Sequence, residues 1–236
     1  MTRTSPTSFA QSFEKIALFR HLPPESVARV QSYCNWKHYE PGELILDYLD
    51  QSDEVFFITE GEVRVSIYSM QGKAVTFSDL TVGEIFGEIA AIDGAPRSAS
   101  IEARTRCCIA SMSGKAFVNV LKSEPFAAME LLRHFAVKIR ALTNRVYEFS
   151  SLDVANRTRA ELLRLARLAP RQGRSASIHP VPTHAEIASR ISTHREAVTR
   201  EINRLSKLGI LERQVGALMV KDIERLEDMV QEASGE

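Results

Sequence analysis

The sequence predicts an α+β chain in three parts: a strand-rich domain over residues 1–123, a long helix with its exit over 124–152, and a basic helical domain over 153–236. Three observations carry that division. In the first part Gly42, Gly61, Gly72, Gly83, Gly87 and Gly94 separate short apolar runs, as turns separate strands. In the second, apolar residues recur at steps of three and four. In the third, positive charge gathers within a chain whose formal net charge is +0.

The first domain opens with FEKIALF, read as an amphipathic helix that His21-Leu22-Pro23-Pro24 ends, because proline disfavours helix before it. EVFFITEGEVRVSIYSM then partly alternates apolar and polar residues on either side of Gly61, the pattern of two strands and a turn. In the long helix, Leu132, Phe135, Ile139, Leu142, Val146 and Phe149 form a heptad seam that points to a parallel helix pair and a homodimer. With so few heptads, packing of this helix on its own β-rich domain is the plainer alternative. Asp153 is a candidate N-cap for the next helix, and a loop with Pro170, Gly173, Pro180 and Pro182 follows it. Ile223, Leu226, Met229 and Val230 mark a short amphipathic helix in the acidic tail.

With 236 residues and 44% hydrophobic content, the chain can build two small globular cores. Its neutrality removes any general attraction to nucleic acid, so such binding requires local charge. Between Arg157 and Arg213 there are twelve Arg or Lys against five Glu and no Asp, a surplus of seven. No run approaches the roughly 18 apolar residues of a membrane span, and MTRTSPTSFA has no apolar core, so a cytoplasmic protein with no membrane partner is expected. Cys34, Cys107 and Cys108 form no C-x-x-C and the histidines are scattered, so neither a disulfide framework nor a metal site is expected. No nucleophile, base and oxyanion set converges, and an enzyme is not expected.

Within the basic region, PTHAEIASRISTHREAVTREINRLSKLGIL contains two capping-box patterns, Thr183 with Glu186 and Thr193 with Glu196. Two helix starts at that spacing predict a helix-turn-helix. In the second helix Val198, Ile202 and Leu205 share an apolar face, while Glu196, Arg200, Asn203 and Arg204 point away, flanked by Arg195 and Thr199. An arginine fork suits guanine O6 and N7, and a carboxylate suits cytosine N4. Ser192, His194, Thr199 and Lys207 would meet phosphates. A surface ion pair between Glu196 and Arg200 is the alternative for those two. A hairpin in ILERQVGALMV, turning near Gly216, completes a winged double-stranded-DNA-binding domain.

FGEIAAIDGAPRSASIEA sets Glu88 and Arg97 among small residues. A cyclic nucleotide needs such a set: a guanidinium and free backbone N–H groups near Gly87 for its phosphate, and a carboxylate to accept from its ribose hydroxyl. Ala90, Ala91 and Ala99 leave room, and Pro96 fixes the backbone before the arginine. Residue by residue, a β-turn followed by a surface arginine is the competing reading.

The stretch F-G-E-I-A-A-I-x-G-A-P-R-S-A-S resembles the phosphate-binding cassette of cyclic-nucleotide-binding domains. With the helix-turn-helix behind it, nearly the whole chain resembles the cyclic AMP receptor protein family, the CRP/FNR superfamily. The resemblance implies an amino-terminal cyclic-nucleotide-binding β-roll, a dimerisation helix, a hinge near Leu152-Asp153-Val154 and a winged helix-turn-helix. It assigns the ribose carboxylate to Glu88, the phosphate arginine to Arg97 and adjoining contacts to Gly87, Ser98 and Ala99, with Phe86, Ile89 and Ala90 in the same cassette. The R-E-x-x-x-R pattern falls on Arg195, Glu196 and Arg200, implying palindromic TGTGA-like half-sites and RNA polymerase as a partner. One departure touches base selectivity: where the cAMP receptor carries Thr-Ser on its long helix, this chain has Leu142-Thr143, then Asn144. Thr143 and Asn144 are the candidate base contacts, and Ser98 is a hydroxyl able to meet a guanine amino group. The expected ligand is cAMP, with cGMP or dual response second; a ligand-independent or redox- or haem-sensing member is the remaining alternative.

Overall fold

The computed structural model describes residues 13–68 and 74–234. Residues 1–12 of the first expected domain, Ser69 and Met70 of the expected second strand, and Gly72 lie outside them. The chain divides into two compact units, and the boundary falls within the long helix, between Lys138 and Ile139.

The glycine-punctuated first unit forms two four-stranded sheets. Its strands are β1 (Asn35–Tyr39), β2 (Leu44–Leu46), β3 (Val55–Glu60), β4 (Glu62–Tyr68), β5 (Ala74–Thr81), β6 (Ile85–Phe86), β7 (Ser100–Ala103) and β8 (Cys107–Met112). One sheet has the order β1-β8-β3-β6 and the other β2-β7-β4-β5. The run VFFI explains why β3 is central: both of its faces are buried. Phe56 and Ile58 join Leu46, Val63 and Ile101 in the core between the sheets, while Val55 and Phe57 face a second core shared with helices.

Two expectations for this unit are corrected. FEKIALF is not a continuous amphipathic helix: Phe13 is helical, the chain leaves the helix over Glu14–Ile16, and Ala17–Phe19 forms a 3₁₀ turn. Phe13, Ile16, Leu18 and Phe19 are all buried, too many directions for one helical stripe, and the Ala17 amide donates to Gly83 O at 3.0 Å instead of to a helical turn. The prolines begin a helix instead of ending one: α1 spans Pro24–Ser32 with Pro24 in its first turn, where a missing N–H costs nothing. Between the strands lies α2 (Glu88–Asp93), and after them α3 (Gly114–Ser123), capped by the Ser113 hydroxyl, which accepts from the Ala116 amide at 3.3 Å. The long helix α4 runs over Pro125–Ser151. Ala127 and Leu131 are buried, and Phe135 packs against the helical core of the first unit.

In the second unit, α5 (Val154–Leu168) starts at Asp153, whose side chain accepts from the Asn156 amide at 2.8 Å. The proline-containing loop includes a short hairpin, β9 (Arg171–Gln172) and β10 (Ser175–Ile178), that the turn residues alone did not announce. Helices α6 (His184–Arg190) and α7 (Arg195–Lys207) precede the hairpin β11 (Leu211–Gln214) and β12 (Ala217–Val220), and α8 spans Ile223–Ser234. Leu162, Ile187, Val198, Leu205, Val220 and Leu226 form one core joining these elements. No helix among the described residues is long and apolar enough to cross a membrane.

Candidate functional site

In the first unit, Phe86 ends β6 and Gly87 turns the chain into α2 with φ +82°. Only glycine serves there. Besides the left-handed backbone, a Cβ would stand 2.6 Å from Glu54 O and 2.9 Å from Arg97 Nη1. That close approach lets the strand, the helix start and Arg97 share one small space.

Glu88 and Arg97 are each 2% exposed, and both line a cleft of about 80 Å³. Phe86, Gly87, Ile89, Ala90, Ser98 and Ala99 line it too, whereas Ala91, expected to leave room there, packs against the helical core instead. The reading of Arg97 as a surface residue after a turn is excluded. Its Nε donates to Ser52 Oγ at 3.0 Å, Nη1 to Gly87 O at 2.9 Å and Nη2 to Glu54 O at 2.9 Å. These bonds use three of five guanidinium N–H groups and leave one on each terminal nitrogen. Burial draws the Arg97 pKa down, while Asp50, Glu54, Asp53 and Glu88 draw it up; a guanidinium stays charged in proteins under such opposed influences.

Lys138, which the sequence did not single out, also lines the cleft. Its Nζ lies 3.3 Å from Glu88 Oε1, so the buried carboxylate is paired with an ammonium of α4. No local pattern could show this, because the pair spans fifty residues of sequence. Thr143 and Asn144 are exposed residues of the second unit, and the Thr143 hydroxyl donates to Ile139 O at 2.9 Å.

The predicted helix-turn-helix follows the expected plan with one correction. Thr183 forms its capping box with Glu186: the Thr183 amide donates to Glu186 Oε2 at 2.8 Å, and the Glu186 amide to Thr183 Oγ1 at 3.1 Å. Thr193 does not form the second box. Ser192 takes φ +52° to close the turn, the Thr193 amide donates back to Ala188 O at 3.0 Å, and His194 becomes the N-cap of α7. Val198, Ile202 and Leu205 are buried as expected, and Glu201 joins them, its Oε1 2.6 Å from Arg159 Nε. Arg195, Glu196 and Arg200 are exposed on the first half of α7, and no ion pair joins Glu196 to Arg200.

Ser192 and His194 are exposed at the start of α7, whereas Lys207 stands at its far end, about 18 Å along the axis. Thr199 is half-buried. Its hydroxyl donates to Arg195 O at 2.9 Å and therefore accepts from His184 Nδ1, 2.7 Å away. Burial first, then Arg195 and Arg213, lower the His184 pKa and favour the neutral ring. The β11–β12 hairpin turns at Gly216 (φ +74°) beside the fully exposed Val215.

On α4, Leu132, Ile139, Leu142 and Val146 are each more than half exposed. Phe135 departs from this seam because its own domain covers it, and the neighbouring Ala136 takes its place in the exposed stripe Met129, Leu132, Ala136, Ile139, Thr143, Val146. Phe149, the last seam residue, carries the Arg157 guanidinium over its ring at 5.4 Å. No group of three or more His, Cys, Asp or Glu able to hold a metal ion occurs among the described residues.

Known proteins share this plan. The family profile described as Cyclic nucleotide-binding domain matches residues 36–124, and that described as Crp-like helix-turn-helix domain matches residues 156–229. The CRP-like cAMP-activated global transcriptional regulator of Mycobacterium tuberculosis is 22% identical over 213 residues, 90% of this chain and 95% of that protein. The cAMP-activated global transcriptional regulator CRP of Salmonella typhimurium is 26% identical over 181 residues, 76% of this chain and 86% of that protein. The solved structure of the c-di-GMP responsive global regulator CLP of Xanthomonas campestris shares the fold with a TM-score of 0.72 at 16% identity, covering 84% of this chain and 99% of that one.

A cyclic-nucleotide-binding β domain carried in one chain with a Crp-like helix-turn-helix defines a class, the DNA-binding transcription regulators with a nucleotide-binding domain. Both halves match, in the order and over the length that these relatives have. The chain belongs to the CRP/FNR superfamily.

Proposed function

We propose that the chain is a cyclic-nucleotide-responsive regulator that binds cAMP in the first-domain cleft and, as a homodimer, reads palindromic TGTGA-like half-sites. The observation that carries this is the pair of opposite charges, Glu88 and Arg97, both buried at one cleft where Gly87, Ala90, Ser98 and Ala99 stand beside the apolar Leu46, Val65, Leu80 and Ile101. A buried guanidinium with unused N–H groups suits a single phosphodiester, and a buried carboxylate suits the ribose hydroxyl, with Gly87, Ser98 and Ala99 beside them. The relatives in Mycobacterium and Salmonella are named as cAMP-activated, which favours cAMP. Ser98, exposed on the cleft wall, supports cGMP as the second reading.

Lys138 is the link from ligand to helix in this reading. A nucleotide that takes the Glu88 carboxylate and brings its own anion changes the partner of the Lys138 ammonium, and with it the preferred setting of α4. Ligand affinity that differs between two dimer arrangements, hinged near Leu152-Asp153-Val154, then sets how two α7 helices meet successive major grooves about 34 Å apart. Arg195, Glu196 and Arg200 read bases; Ser192, His194 and Lys207 meet phosphates, and RNA polymerase is the downstream partner.

Fluorescence anisotropy on a palindromic duplex, titrated with cAMP and cGMP side by side, tests this function. DNA affinity should rise with cAMP more than with cGMP. Equal affinity with and without either nucleotide would remove the allosteric part.

A further inference from the structure

The end of the long helix is tied to the turn of the helix-turn-helix by two routes within the second unit. In the first, Glu161 of α5, with a side chain 1% exposed, lies 2.8 Å from Arg145 Nη2 of α4 and 3.7 Å from Arg190 Nη1 at the end of α6, and also pairs with Arg164. In the second, the Arg157 guanidinium covers the Phe149 ring of α4 and donates through Nη1 to Ile191 O, in the turn itself, at 3.2 Å. Arg164 adds a two-pronged bond to Glu148 of α4, at 2.7 and 2.8 Å.

The charges make Glu161 the sensitive member. Arg145, Arg157, Arg164 and Arg190 stand against Glu148 and Glu161, four positive against two negative. Three arginines from three helices share one carboxylate out of solvent, so a shift of any one changes what the other two can reach. Arg190 and Ile191 immediately precede Ser192, whose left-handed backbone sets the angle at which α7 leaves the turn. The last two turns of α4 and the last residue of α6, next to the turn, therefore share one buried carboxylate.

We propose that Glu161 and Arg157 are positioning residues for DNA reading: they transmit the placement of the α4 end to the α6–α7 turn. This inference rests on the second domain binding DNA and is independent of which nucleotide, or which half-site, the chain prefers. Arg145 is the informative handle, because it touches Glu161 and lies outside the helix-turn-helix.

The test is a double-mutant cycle on the full-length chain with Arg145→Gln, Glu161→Gln and the pair, using duplexes that the wild-type chain itself selects from a random pool. Each single change should lower the ratio of selected to scrambled duplex affinity about five- to tenfold, and the pair no further than either alone. Amide exchange at Thr193, whose amide donates to Ala188 O, should accelerate in Arg145→Gln although Arg145 stands on α4. If Glu161→Gln fails to fold, Arg157→Lys, which keeps the charge and loses the fork, should show the same Thr193 acceleration. Effects that multiply in the pair, or a lowered melting temperature with unchanged duplex discrimination and unchanged Thr193 exchange, would overturn the proposal. A random pool that yields half-sites unlike TGTGA would overturn the half-site reading and leave this one standing.

Discussion

The Arg97 guanidinium is held by Ser52 and by the carbonyls of Gly87 and Glu54, so its removal unsettles the strands as well as the cleft. Each of these two part-buried carbonyls, left without its donor, costs about 1–3 kcal/mol. Arg97→Ala should therefore lower stability by about 2–6 kcal/mol and abolish cAMP binding together, read by thermal unfolding and calorimetric titration. Undiminished cAMP binding in a cooperatively folded variant would refute the phosphate role. A second prediction at this scale concerns protons. Burial and two arginines hold the His184 pKa below its ordinary 6.5, so the unfolded chain takes up a proton before the folded one does. Stability is then full above about pH 6.5 and falls as pH drops from there through the lowered folded value. His134, lowered chiefly by burial and then by Lys138, with Glu88 opposing, has the same sign in the first domain. His184→Asn should flatten the acid limb of the second domain's unfolding curve, and an unchanged limb would show that His184 does not contribute.

Helix caps separate what local sequence specifies from what packing decides. Thr183 and Thr193 carry the same capping-box spacing, yet only Thr183 caps, because the turn between the helices uses Ser192 in a left-handed conformation and moves the helix start to Arg195. Thr183→Ala should destabilise the second domain by about 1 kcal/mol, and Thr193→Ala by clearly less, measured by chemical denaturation. Equal losses would mean that Thr193 supports the turn in another way. The same contrast runs through the fold. Asp153 as a cap, the buried face of α7, the β11–β12 hairpin and the convergence of the cassette residues were legible because each depends on neighbours within a few turns. The break-up of FEKIALF, the helices α1 and α3, and the Lys138–Glu88 pair were not legible, since distant segments decide them. Phe135 belongs to the same group: its heptad position is that of a seam, but the core beside it covers it first.

At the scale of the whole molecule, α4 presents apolar residues in two directions, and one chain uses only one of them. Ala127, Leu131 and Phe135 are taken up by the first domain, which satisfies the plainer reading of the long helix. Met129, Leu132, Ile139 and Val146, with the small Ala136 and Thr143 between them, remain in an exposed stripe at steps of three and four, a spacing that a second copy of the same helix can match. Chain length alone does not require this stripe; a surface helix that needed no partner would carry charge there. Ile139→Glu combined with Val146→Glu places like charges at two adjacent levels of a parallel pair, and each would face its own copy. Both positions are exposed in the single chain, so the monomer fold should tolerate them. The wild-type chain should sediment at twice the 26.4 kDa chain mass and the variant at that mass. Losing the second α7 should weaken binding to a palindromic duplex by at least ~100-fold while binding to a single half-site changes little. A variant that still sediments as a dimer, or a monomer that keeps full palindrome affinity, would show that the chains pair through another surface and that the α4 stripe serves a different contact.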